Sequence, residues 1–113
     1  MSSMVYRVER LDHPGLWYWL VVFSDRGDAI ALAILDGVNG RLESWARTTT
    51  GKPIALTAEE ALQLAYAPAD SNAELVWGPC RASRSPYYPL WAVRTKEGRT
   101  RYVDQQRNVW DAL

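Results

Sequence analysis

Cysteine and histidine each occur once in this 113-residue chain, as Cys80 and His13. Intrachain disulfides and Cys-rich structural zinc sites are thereby excluded, and nucleophilic catalysis by a Cys–His couple is reduced to a single pairing. Neither sign of charge is in excess: 13 Lys and Arg face 13 Asp and Glu, for a formal net charge of 0 and a pI near 6.6. A balanced surface has no field with which to draw in nucleic acid or an anionic membrane. The one basic stretch with an aromatic in it, Arg94, Arg99, Arg101 and Arg107 around Tyr102, is interrupted by Glu97, Asp104 and Asp111, so no nucleic-acid partner is expected. The longest apolar runs, Leu16–Phe23 and Ala29–Leu35, stop well below the roughly 18–20 residues of a membrane-crossing helix. No membrane partner is expected. The opening Met1-Ser-Ser-Met-Val-Tyr-Arg-Val-Glu-Arg shows no basic stretch leading into an apolar run, so no secretory signal is visible and a cytoplasmic location is expected. Gly37, Gly40 and Gly51 do not build a phosphate-cradling Gly-rich loop, and no nucleotide or other cofactor is expected.

What is present is enough apolar matter for one folded domain. The mass is 12.8 kDa, 48% of residues are hydrophobic and 23% are charged, values typical of a globular chain. Six Trp and six Tyr accompany a single Phe. Large aromatics each bury roughly 150–250 Å², so they build either much of a small core or a binding surface.

Along the chain, Met4–Leu11 has mixed alternation, with Val5, Arg7 and Glu9 on one side and Tyr6, Val8 and Arg10 on the other, and reads as an edge strand. Asp12-His13-Pro14-Gly15 reverses it. Leu16–Phe23 is rich in aromatic and β-branched residues, the loop Ser24–Asp28 follows, and Ala29–Leu35 returns antiparallel. Asp36–Gly40 is a tight turn into a short third strand, Arg41–Ala46. Arg47–Pro53 is polar and turn-rich. Thr57-Ala-Glu-Glu60 has the form of a capping box opening the one convincing helix, with Ala58, Ala61, Leu62, Ala65 and Tyr66 on one face and Pro68 stopping it. Ala73–Trp77, bending at Gly78-Pro79 toward Cys80–Ala82, then Tyr88–Thr95, Arg99–Val103 and Val109-Trp110 complete a second run of strands.

The two runs repeat one order: strand, Gly loop, strand, Asp turn, short strand. Tyr18 to Phe23, Gly27, Asp36 and Gly40 in the first correspond to Tyr88 to Val93, Gly98, Asp104 and Asn108 in the second. Asp36 and Asp104 are read as turn formers, with Gly40 and Asn108 suited to a left-handed conformation. The helix opened by Leu56-Thr-Ala-Glu-Glu-Ala-Leu62, the strand Pro89-Leu-Trp-Ala-Val93, Gly98 and Tyr102-Val-Asp104 resemble the PepSY domain family over residues 54–113, with 1–46 as a degenerate copy lacking the helix. The resemblance implies an α+β, cystatin-like fold, an antiparallel sheet with one short helix packed across it. It further implies a binding or inhibitory module without catalytic residues.

Leu16–Phe23 is apolar on both sides, since Trp17, Trp19, Val21 and Phe23 alternate with Leu16, Tyr18, Leu20 and Val22. One short helix covers only part of one sheet face, so the other face needs Arg stems and loops, a partner or a second copy of the chain. The reading is a single non-enzymatic domain that binds a protein or peptide, or itself, on an aromatic sheet face or at a sheet edge. A small-ligand site between helix and sheet and a purely structural homodimer remain as other readings. The expected contact residues are Trp17, Trp19, Tyr87, Tyr88, Trp91 and Trp110, because binding hot spots favour Trp and Tyr. No catalytic residues and no metal ligands are expected: His13 sits in a turn, and Glu59 and Glu60, about 100° apart on a helix, suit its N-terminal end better than acid–base work.

Overall fold

A computed structural model describes residues 1–48 and 52–113. Four strands come first: β1 (Ser2–Arg10), β2 (Trp17–Asp25), β3 (Asp28–Asp36) and β4 (Leu42–Arg47). After α1 (Ala58–Leu64) come β5 (Asn72–Trp77), β6 (Leu90–Arg94), β7 (Thr100–Val103) and β8 (Val109–Trp110). All eight strands form one sheet in the order β4-β3-β2-β1-β5-β6-β7-β8. Two antiparallel meanders thus run outward from a central seam, where β1 and β5 pair in parallel at Glu9↔Val76 and Arg10↔Trp77. The turn-rich stretch expected at 47–53 falls partly, at 49–51, outside the described residues.

The α+β, cystatin-like and PepSY-like architecture expected from the sequence is overturned: the described residues are mostly β, an open eight-stranded sheet carrying one seven-residue helix. Thr57 and Glu60 do form the capping box, with Glu60 N–H donating to Thr57 Oγ1 and Thr57 N–H to Glu60 Oε1, each at 3.1 Å. The helix then ends almost at once. Tyr66 turns left-handed at φ 51°, its N–H donates to the Gln63 carbonyl, and Ala67 N–H reaches back to the Leu62 carbonyl. That is a Schellman stop with a tyrosine in the place glycine usually takes. Tyr66, expected on the apolar stripe, is instead 90% exposed beyond the helix end. At about 1.5 Å per residue the helix is only ~10 Å long, against a sheet ~34 Å wide at about 4.8 Å per strand spacing. It cannot form a layer.

Two further expectations change. Met4–Leu11 is not an edge strand, because β1 lies in the middle of the sheet, and the edges are β4 and β8. Cys80–Ala82 is not strand but part of the long connection from Gly78 to Pro89.

The covered face holds the main core. Val8, Tyr18, Leu20, Val22, Leu32, Ile34, Leu75 and Trp77 cluster under Ile54 and Tyr87. Next to them Ala61 of α1 and Ala65 at its C-cap, with Leu56, pack on Val93 and Val103. Trp91 belongs to both groups and donates its indole N–H to the Leu56 carbonyl at 3.0 Å. The second half's long connection also serves the first half, since Tyr18 donates its hydroxyl to the Pro86 carbonyl at 2.7 Å and Tyr87 donates to Ser44 Oγ at 2.8 Å. Burial pushes the Tyr18 phenol far above its ordinary titration range, so it stays a neutral donor.

Candidate functional site: the open face of β1–β4

The two sides of the sheet are unequally covered. On the side opposite α1, the second half buries Val76, Leu90 and Ala92 under Leu11, Cys80 and Ala82. The first half presents Val5, Trp17, Trp19, Val21, Phe23, Ala31, Ala33 and Trp45 on that same side, as the strand registers require. No described core cluster on this side includes any of them. Val5 and Trp45 are 58% and 63% exposed, and Leu42 beside them 59%. Val21 and Ala33 are nonetheless buried, because the tryptophans and phenylalanine around them shade short side chains. Large apolar side chains left in water together on one sheet face are the material from which interaction surfaces are built.

Trp17 is fixed at the rim of this face. Arg7 stacks over its ring at 4.8 Å, and a Cβ on Gly37 would fall 2.5 Å from its Cδ1, Nε1 and carbonyl oxygen. Gly37 is therefore the residue that lets the Asp36–Gly40 turn lie against Trp17. The turn itself is tied by Asp36, whose carboxylate accepts from Val38 N–H at 2.8 Å and Asn39 N–H at 3.1 Å. Those bonds hold its pKa below the usual carboxylate value. Asp104 does the same work in the second half, accepting from Gln106 and Asn108 N–H, both at 2.9 Å, and from the Asn108 and Trp110 side chains at 3.1 and 3.0 Å. The left-handed residue of that turn is Arg107, φ 72°, rather than Asn108.

The six expected contact residues do not converge. Trp17 and Trp19 lie on the open face, both half-buried. Trp91 is core beneath α1, Tyr87 plugs the covered face, Tyr88 is 40% exposed on the long connection, and Trp110 is tied to Asp104 on the far edge strand. Sequence reasoning passed over Trp45, Leu42 and Val5. Alternation in β4 put Trp45 on one side of a strand, but only the β3–β4 register, Ala33↔Trp45, shows which side.

Other chemistry has little to work with. His13 lies 3.8 Å from the Asp12 carboxylate, and the Cys80 thiol donates to the Ser83 carbonyl at 3.5 Å. Among the described residues no three His, Cys, Asp or Glu side chains gather to hold a metal ion, and no helix is long and apolar enough to cross a membrane. The cleft at the end of α1, about 230 Å³, is lined by Val93, Ala65, Arg99 and Arg101. Arg101 is already committed there, donating to the Ala65 carbonyl at 3.2 Å and pairing with Asp111 at 3.1 Å. Comparison with protein-family models, curated proteins and solved structures finds no match to this chain. The class that fold and site define is thus an open single-sheet β protein with one apolar quarter left uncovered.

Proposed function

We propose that this protein is a non-enzymatic binding module for another polypeptide, and that its working surface is the open face of β1–β4. The observation that carries the reading is the exposure of Val5, Leu42 and Trp45 around a floor of Val21, Phe23 and Ala33, on a sheet whose other quarters each carry a buried apolar cluster. Interfaces of this type combine buried aromatic anchors with a polar rim, here Arg7, Glu9 and Arg47. A cytoplasmic setting is part of the proposal, since a chain with one free thiol and no disulfide makes no demand for an oxidising compartment.

The test is capture from extracts with immobilised wild type, Val5→Asp, Trp45→Asp and the off-face control Tyr88→Ser. A bound protein kept by the control and lost by both face variants is the expected result. An identical set of bound proteins on all four would overturn the reading.

A further inference from the structure

The two meanders are related by an internal two-fold, and that relation says what shape belongs on the open face. Ser2 pairs with Ser24 as Asn72 pairs with Arg94, and Phe23 pairs with Ala31 as Val93 pairs with Arg101. One constant shift, 70 residues, therefore carries β1–β3 onto β5–β7. Because β1 and β5 run parallel while their meanders turn away from each other, and Val76 pairs with Glu9 rather than with its counterpart Tyr6, the operation is a half-turn about an axis along the strands combined with a three-residue shift along it, which exchanges the faces of the sheet. The side chains obey it: Leu20 lies in the covered-face core, whereas its counterpart Leu90 lies in the cluster on the opposite side.

Under that half-turn the residues beneath α1 correspond to the open face. Ala73, Trp91, Val93 and Val103 support the helix, and their counterparts are Ser3, Val21, Phe23 and Ala33. α1 leads into β5 through residues 65–71, and among the described residues no second helix lies on the matching seat of β1–β3. A second observation concerns the end of the unrepeated helix. Arg101 donates to the carbonyl of Ala65, the C-cap of α1, and its counterpart Ala31 has Arg47 as its cross-strand neighbour on the same face. Arg47 is exposed and makes no ion pair among the described residues.

Resting on the binding-module reading above, we propose that the open face of β1–β4 seats an amphipathic α-helix of a partner protein. The helix presents small and medium apolar residues at the spacing of Ala61, Leu62, Leu64 and Ala65, with its C-terminal carbonyls over β3 and β4 at Arg47. A cation at a helix C-terminus is favourable, and small residues allow the helix to approach a sheet already crowded by tryptophan.

The probe is a copy of residues 55–71 fused ahead of Ser2 in the full chain, the position that the internal two-fold assigns to it. The expected result is added helical circular dichroism, a blue-shifted tryptophan emission and an unfolding temperature raised by about 5 °C, all reduced by Arg47→Glu and by Val5→Asp. Unchanged helicity and emission in the fusion overturn the helix as occupant. Light scattering on the same samples separates that failure from failure of the binding reading. A dimer that Val5→Asp breaks and the fused helix does not displace means the face binds a second copy instead. A monomer whose captured proteins are indifferent to Val5→Asp overturns both.

Discussion

Gly37→Ala puts the packing of the open-face rim to a quantitative test. The added Cβ would sit 2.5 Å from Trp17 Cδ1, Nε1 and carbonyl oxygen. A flexible tip could swing away, but the carbonyl belongs to the β2 backbone, which pairs at this point with β1 through Glu9↔Trp17. Either the turn shifts off Trp17 or the strand end shifts off β1. Overpacking of this kind costs typically about 1–3 kcal/mol. For a chain of this size each kcal/mol lowers the unfolding temperature by about 3–6 °C, so a drop of roughly 3–18 °C is expected by calorimetry or circular dichroism. Gly40, three residues on, supplies the contrast. A Cβ there would meet nothing within 4 Å, and the demand at this position is conformational, at φ 72°. Gly40→Asn should therefore be nearly neutral, because Asn tolerates the left-handed region, whereas Gly37→Asn should be at least as damaging as Gly37→Ala. Equal tolerance at both positions would refute the assignment of crowding to Gly37 and of conformational freedom to Gly40.

Other expectations follow from the same contacts. Asp104→Ala strands four donors at a position only 6% exposed and should cost about 2–4 kcal/mol, read by denaturant unfolding, with Asp104→Asn recovering part of the loss. Asp36, whose pKa is lowered by the Asn39 and Val38 amides, contributes stability that is present above the ordinary carboxylate pKa and lost as pH falls through its folded value. Asp36→Asn should flatten the acid limb of the stability curve, and an unaltered limb would contradict the bonding described. Tyr66→Gly should raise stability by about 1 kcal/mol, since it relieves a left-handed tyrosine at the helix stop, 90% exposed and free of packing to lose; a measured destabilisation would show that the ring has a role.

Much of the local structure was legible because it is written in short-range chemistry. The capping box at Thr57, the Asp turns at 36 and 104 and the aromatic and β-branched strands each depend on neighbours within a few residues. The apolar character of both sides of Leu16–Phe23 was likewise visible, and with it the need for something to cover the Trp17, Trp19, Val21 and Phe23 side. The repeat could be seen too, but not its consequence. Nothing in the sequence states that β1 joins β5 in parallel, and that single pairing moves β1 from an edge to the centre, turns the two halves face about and leaves α1 on the wrong side to shelter the first. Fold class failed for a related reason, because a seven-residue helix has the sequence signals of a longer one until its left-handed stop is seen in space. Residue type and alternation set which side chains share a strand side; only strand order and register, which join residues far apart in the chain, decide that Val5, Phe23, Ala33 and Trp45 make one surface while Trp91 and Tyr87 are spent in the core.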